Sequence, residues 1–306
     1  MLIAIDHGNF AIKTEHHSFV SGLAEHSVKP PMADEIVEYA GSYWTLSGQR
    51  ISYMRDKTND ERFFILSLFA IAREILAKGS QTLTEPIDLA VGLPPEHFGI
   101  LRNKFASYFK RREPVCFSYN DKVFRIEIRY VFVYPQAFAA IAQRKSQLNQ
   151  YLRVFLVDIG GYTTDVLLLR NGKPDMQFCR SLETGVITMN NDIIRRVGAL
   201  HDMRIEDEHI CAVLQGKETI LPNEVKKTIT DSAAAHAKSI LDNLRELQVD
   251  LRANPAVFIG GGSNMYREYL EKSPLVAQAL FIEDTHANAT GYQMMAEAQL
   301  RMLQGQ

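Results

Sequence analysis

Three short segments set aspartates, glycines and hydroxyl residues directly after apolar runs: Ala4–Lys13 (AIDHGNFAIK), Val157–Val166 (VDIGGYTTDV) and Val257–Tyr266 (VFIGGGSNMY). A buried strand normally leaves its polar residues to its ends, yet Asp158 interrupts the run from Val154 to Leu169. The chemistry these residue types can serve together is nucleotide binding. Glycines carry no Cβ, so backbone N–H groups can approach phosphate oxygens, and a turn between strands aims several at one anion. Asp6 and Asp158 repel phosphate, but either can hold Mg2+ directly or through water, and the metal then offsets the repulsion. Thr163 and Thr164 can add hydroxyl donors, and Lys13 can reach a phosphate as a point charge. Each turn alone reads more readily as a glycine-containing hairpin, and Gly260–Gly262 as a strand–helix turn. The sharper reading of the third packs a nucleoside against Gly260, Gly261 and Gly262, with Ser263 starting the helix. None is a P-loop, and the first two open hairpins where a Rossmann fingerprint would open a helix. Their joint order is more specific than any one of them.

The elements that must position these turns follow from periodicity and breakers. Leu2–Ile5 reads as a strand, Asp6–Asn9 as a tight turn and Phe10–Lys13 as the returning strand. Residues 17–58 hold Pro30-Pro31, two β-rich runs (Glu35–Ala40 and Ser42–Leu46) and the charged stretch RDKTNDER, the composition of a small inserted subdomain. A helix over Asp60–Ala77 stops at Lys78-Gly79. Ile87–Leu93 is a buried-type strand, Pro94-Pro95 starts a helix to about Phe109, and a hairpin turns at Asn120-Asp121. Pro135 closes that hairpin, and a helix is expected over Gln136–Leu152. The pattern then begins again: strand Val154–Val157, glycine turn, strand Tyr162–Leu169, Asn171-Gly172 turn, strand Asp175–Ser181. Helices near 186–198 and over 222–247, strand Ala256–Ile259, a helix through Leu270 and a last helix over about Ala289–Leu303 complete the chain. Both halves thus open with a strand, an Asp-x-Gly turn and a returning strand, an internal repetition that outweighs any single motif.

Composition narrows the function classes. The 306 residues suffice for two domains or one large α/β unit, and 46% apolar with 23% charged residues is ordinary for a soluble protein. A net charge of −2 argues against a dedicated polyanion binder. Cys116, Cys179 and Cys211 stand far apart without paired spacing, which argues against disulfides or zinc and fits a reducing cytosol. MLIAIDHGNF reaches an acid at position 6 and offers no signal-peptide core, and RFFILSLFAIAREILAKG is too short and too interrupted to span a bilayer.

Five separated segments carry a resemblance: IDHGNFAIK, YPQAFAAIA (Tyr134–Ala142), VDIGGYTTDV, ETGVITMNNDI (Glu183–Ile193) and FIGGGSNM. In this order they resemble the nucleotide-site motifs of the actin/Hsp70/sugar-kinase superfamily. VGLPPEHF (Val91–Phe98) and THANATGYQMM (Thr285–Met295) are similar to the bacterial actin-like plasmid-segregation proteins, the ParM/StbA group. The resemblance implies an α/β actin-like fold of two lobes. Each lobe is built on a mixed five-stranded sheet with flanking helices, a duplicated ribonuclease-H-like arrangement with a nucleotide cleft between. Domain I would take residues 1–152 and the C-terminal helix 289–306, with an inserted subdomain at about 17–58. Domain II would take 153–288, with a helical subdomain at about 186–250. It further implies ATP or GTP with Mg2+ at Asp6 and Asp158, and Asp6, Asp158 and Gln136 as catalytic residues. Gly8, Asn9, Lys13, Gly160, Gly161, Tyr162, Thr163 and Thr164 would serve the phosphates, and Gly260–Ser263 the nucleoside. The expected activity is that of a cytoplasmic ATPase assembling head to tail into filaments. A DNA-bound adaptor would link those filaments to plasmid DNA, with no direct nucleic-acid or membrane binding.

Two positions depart from the pattern: His7 stands inside the first turn, and Gln136 replaces a carboxylate at the first connecting segment. A glutamine can orient an attacking water, although without the resemblance it reads equally well as a helix-start residue. Asp165 is either a support for Thr163 or a turn-end residue. Gly185 either admits the chain close to the nucleotide, by analogy, or is an ordinary loop glycine. Lys217 and Glu218 lie where related proteins contact adenine or ribose, and read alone as a solvated charge pair. His16-His17 reads as surface residues, because neighbours on a strand point to opposite faces, and His236 as a packed histidine among alanines. A small-molecule kinase would need a carboxylate where Gln136 stands, a chaperone would need a further domain, and a non-polymerising nucleotide switch is also compatible with the composition.

Overall fold

The run LIAIDH is buried along almost its whole length and forms β1 (Leu2–His7), which enters the middle of a sheet and carries Asp6 and His7 inside the strand. The computed structural model describes residues 1–79 and 84–304. It divides into one unit of Met1–Gln143 with His286–Gln306 and a second of Arg144–Thr285.

In the first unit β1 pairs antiparallel with β2 (Ala11–Lys13), and β2 with β3 (Ser18–Val20). The inserted segment gives β4 (Leu23–His26), β5 (Ile36–Tyr39) and β6 (Ser42–Leu46). Helix α1 (Arg62–Ala77) is buried nearly all round from Phe63 to Ala72, as a core helix must be, and stops at Gly79 with φ +67°. It leads to β7 (Thr84–Leu93), parallel to β1; α2 (Pro95–Phe109) then leads to β8 (Val115–Tyr119) and β9 (Lys122–Pro135). β9 runs parallel to β7 from Arg125 to Pro135 and antiparallel to β8 from Lys122 to Ile126. The β8–β9 turn places Asn120 and Asp121 at φ +49° and +65°, the backbone that a two-residue hairpin with positive φ at both positions requires.

The sheet therefore holds nine strands, in the order β3-β2-β1-β7-β9-β8-β5-β6-β4, where five were expected. β8 offers its free edge to β5, so the inserted strands extend the core sheet continuously. A second correction concerns Gln136–Leu152, where the sequence reads as one helix. Gln136 N–H instead donates to Leu93 C=O at 2.9 Å, continuing the β7–β9 ladder, and Ala137 takes φ +61°. Only a 3₁₀ turn (Ala139–Ile141) and the short α3 (Lys145–Leu148) follow.

The second unit repeats the core scheme. β10 (Arg153–Ile159) pairs antiparallel with β11 (Thr164–Arg170), and β11 with β12 (Lys173–Leu182). Helices α4 (Val186–His201), α5 (Asp207–Leu214) and α6 (Asn223–Glu246) precede β13 (Ala256–Ile259), α7 (Gly261–Glu271) and β14 (Ala279–Phe281). β13 lies parallel to β10, and β14 to β13, giving the order β12-β11-β10-β13-β14. The same order and directions hold for β3-β2-β1-β7-β9, so the duplication legible in the Asp-x-Gly turns is a duplication of sheet topology. Helix α8 (Ala287–Gln304) returns to the first unit and packs on β1, β7 and the 3₁₀ turn. No helix among the described residues is long and apolar enough to cross a membrane.

Phe258 is fully buried in the second unit and stacks on Phe281 with ring centroids 5.3 Å apart. Phe258→Ala is expected to cost about 3–5 kcal/mol through lost burial and the cavity left behind. Urea unfolding measures it; a cost under about 1 kcal/mol would contradict this packing.

Candidate functional site

In the first unit the end of β1 presents a buried carboxylate. Asp6 is 6% exposed, accepts from Gln136 Nε2 at 2.8 Å, and lies 3.5 Å from the Tyr292 hydroxyl at the same oxygen, Oδ1. Lys13 is its cross-strand partner, so both side chains leave the same face of the hairpin. Gly8 and Asn9 form the half-buried turn between them, and Ser21 Oγ donates to Gly8 C=O at 2.6 Å. His7, the unexpected residue, points the other way into the core. Its ring lies 5.1 Å from the ring of Phe109 and 5.9 Å from that of Phe105, and the Lys57 ammonium donates to its backbone carbonyl. Ser67 Oγ donates to Phe63 C=O at 2.8 Å and lies 2.8 Å from His7 Nε2. Burial and, secondarily, Lys57 push the His7 pKa down to about 3.

The second unit builds the matching hairpin with different charges. Asp158 is 8% exposed and faces Asp165 across the ladder, in the register position that Lys13 holds opposite Asp6. Two carboxylates directly opposite destabilise a ladder unless a cation offsets them. Thr163 Oγ1 donates to Asp165 Oδ2 at 3.1 Å, giving Asp165 the supporting contact that was one of its two readings. Gly160 N–H closes the turn onto Thr163 C=O at 2.8 Å, and half-buried Gly161 and Tyr162 form its tip. Thr164 turns inward and donates to Thr184 C=O at 3.1 Å, so its hydroxyl is committed within the unit and not offered to a phosphate.

Gly185 packs against the tip of the second hairpin. A Cβ there would lie 2.5 Å from Gly161 O, because the chain that starts α4 presses on the hairpin tip. Val186 and Ile187 N–H donate to Gly160 and Gly161 C=O at 3.1 and 2.7 Å, satisfying helix-end amides and fixing the turn from below. Gly260, at φ +87°, brings β13 so close to Asp158 that a Cβ would lie 2.5 Å from Oδ1. Gly262 and Ser263 are buried behind it, Ser263 Oγ donating to Gly260 C=O at 2.8 Å, while Gly261 has open space before it. Lys217 and Glu218 lie on an exposed turn after α5. His236 is packed as expected, against Tyr266 and Thr184 C=O.

Sequence reasoning missed Ala137, Asn288 and Tyr292. Asn288 Oδ1 accepts from Ala137 N–H at 3.0 Å, next to Gln136. Their signal was the i, i+4 spacing within ANATGY, without any sign of what that face would meet. His16 lies at the surface as expected, and its Nδ1, 2.9 Å from buried Glu74 Oε2, ties the β2–β3 tip to α1. Glu15, His16 and Glu74 bring ligand atoms within 4.8 Å, but Glu74 is committed to Thr14 and His16.

Residues 4–138 match the family described as actin-like proteins, N-terminal domain, and residues 156–272 the family described as archaeal actin homologue MreB-like, C-terminal. The structure of an archaeal actin homologue is similar with TM-score 0.79 and 19% identity, over 97% of this chain and 99% of its own. That protein has also been crystallised in complex with ADP. ParM from Clostridium botulinum, in a 15-stranded filament, gives TM-score 0.76 at 17% identity over 97% and 99%. The AlfA filament bound to AMPPNP gives 0.67 at 16% over 99% and 98%. At these identities the likeness shows the fold. No curated protein sequence matches.

Buried His7 sets a pH dependence. Its folded pKa of about 3 lies below the ordinary 6.5, so between these values the unfolded chain binds a proton that the folded one refuses. Stability is expected to fall as pH drops from 6.5 towards 3, and His7→Phe to lose that component. Parallel losses in both proteins between these pH values would contradict a buried neutral His7.

Proposed function

This chain belongs to the actin-like protein family, and we propose that it is a cytoplasmic ATPase whose nucleotide state drives head-to-tail assembly into filaments. The filaments, in this reading, segregate plasmid or similar DNA through a DNA-bound adaptor, since a net charge of −2 does not favour direct DNA binding. Support comes from the relatives: the ADP complex of the archaeal homologue, and the filaments of ParM and of AlfA with AMPPNP. The observation that carries the enzymatic part is the 2.8 Å contact from Gln136 Nε2 to Asp6 Oδ1.

That contact uses the donor end of the Gln136 amide and leaves its Oε1 to accept from a water. Phosphoryl transfer asks the protein mainly for positioning and charge stabilisation. Gln136 orients the water for in-line attack on the γ-phosphorus. The new O–P bond forms as the β–γ bridging bond breaks, and ADP and phosphate leave with the water's proton released to solvent. Backbone N–H groups of Gly8, Asn9 and Gly161–Thr163 and the Lys13 ammonium receive the phosphate oxygens. The open side of Gly261 suits the nucleoside. Asp6 and Asp158 offer the oxygen donors that Mg2+ prefers, and the Asp158–Asp165 opposition favours a cation there; when bound, Mg2+ offsets phosphate charge. A small-molecule kinase is disfavoured because Gln136 cannot deprotonate a substrate hydroxyl.

Assembly follows from the same site. A heterologous contact that does not close builds a helical polymer, and ATP favours it only through contacts that differ between the ATP and ADP states. Sedimentation with ATP–Mg2+, with ADP and without nucleotide tests this: pelleting is expected with ATP, and solubility in every state across micromolar concentrations would end the filament reading. Gln136→Ala is expected to lower kcat on the order of 100-fold with nucleotide binding retained. Asp158→Ala is expected to abolish phosphate release in a folded protein, and wild-type turnover in that variant would remove Asp158 from the site.

A further inference from the structure

We propose that Asn288 is a positioning residue for phosphoryl transfer, acting from α8 by holding Ala137 in a left-handed conformation that aims Gln136; this rests on Gln136 as the water-orienting residue. Ala137 is completely buried and sits at φ +61°, a region that L residues with a Cβ avoid. Such a conformation persists only where the surroundings over-determine it, and it clusters at functional sites. Three hydrogen bonds do so here. Gln136 N–H donates to Leu93 C=O at 2.9 Å, and Phe138 N–H donates back to Gln136 C=O at 2.6 Å across a three-residue turn. Between them, Ala137 N–H donates to Asn288 Oδ1 at 3.0 Å. Only the last comes from a side chain, and that side chain is 8% exposed.

The same face of α8 fixes the other end of the contact. Asn288, Gly291 and Tyr292 stand at i, i+3 and i+4, one above the other on a helix. Gly291 lets the helix backbone press on the 3₁₀ turn, where any Cβ would collide with Ala139 C=O. Fully buried Tyr292 brings its hydroxyl to 3.5 Å from Asp6 Oδ1, the oxygen that Gln136 reaches at 2.8 Å. One helical stripe thus sets the backbone that follows Gln136 and touches the carboxylate that orients its side chain. A helix that merely covered the sheet would need neither the amide acceptor nor the glycine contact.

Steady-state phosphate release and fluorescent-ADP binding by the full chain test the assignment. Asn288→Ala is expected to lower kcat at least tenfold while the KM for ATP and the affinity for ADP stay within twofold. Asn288→Asp, which keeps the acceptor, should recover most of the loss. Ala137→Gly in the Asn288→Ala background should also recover it, because glycine adopts φ +61° without the side-chain bond. A role in packing alone predicts no such rescue. If Asn288→Ala fails to fold, Asn288→Ser, with its shorter acceptor, carries the test with an intermediate loss of kcat. An Asn288 variant that keeps wild-type kcat, or a loss that Ala137→Gly leaves untouched, overturns the assignment while the ATPase reading stands. A wild type that binds nucleotide without releasing phosphate overturns the ATPase reading first, and the assignment with it.

Discussion

A carboxylate at the buried end of a central strand is the constraint on which the rest of this structure depends. Asp6 and Asp158 are each less than a tenth exposed, and a buried charge is costly unless polar partners or a cation meet it. In the first unit the fold answers with the Gln136 amide, and Lys13 holds the register position opposite. The second unit answers differently, setting Asp165 opposite Asp158. Identical topology with opposite charge at one register position makes the two hairpins unequal: a lysine stands opposite Asp6 and an aspartate opposite Asp158. In the proposed enzyme that asymmetry assigns Lys13 to phosphate and Asp158 to the metal.

Much of what surrounds the carboxylates exists to hold the turns still. The first amides of α4 donate to the carbonyls of the second hairpin's tip, so those helix-end donors support the turn instead of facing a ligand. His7 sinks into the Phe105–Phe109 core beside Ser67 and takes Lys57 on its carbonyl, tying the first turn to the inserted segment. A smaller residue at position 7 would leave that turn with fewer anchors. Rigid donors fixed before the substrate arrives need no reorganisation at the moment of reaction.

What the sequence made legible was mostly local. Strand, Asp-x-Gly turn and returning strand leave their mark within ten residues, and Asn120-Asp121 announced its hairpin through residues tolerant of positive φ. The errors came from contacts distant in sequence. A helix over Gln136–Leu152 agrees with local propensity, but the ladder bond from Gln136 to Leu93 and the bond from Ala137 to Asn288 override it. The nine-stranded sheet depends on β5 finding the edge of β8, some eighty residues away. That Gly185 abuts the tip of the Gly160–Thr163 hairpin is likewise invisible in a linear reading. α5 and β14 are short, and neither carries a periodic signal of its own.

In the proposed enzyme the turn at residues 8–10 and the turn at residues 161–163 each receive nucleotide phosphate oxygens. Amide hydrogen exchange of the full chain, with and without a saturating non-hydrolysable ATP analogue and Mg2+, tests it most directly. Slowed exchange is expected together at residues 8–10 and 161–163, with the sheet edges unchanged. Bound nucleotide that leaves both turns exchanging at their free rates would contradict the account.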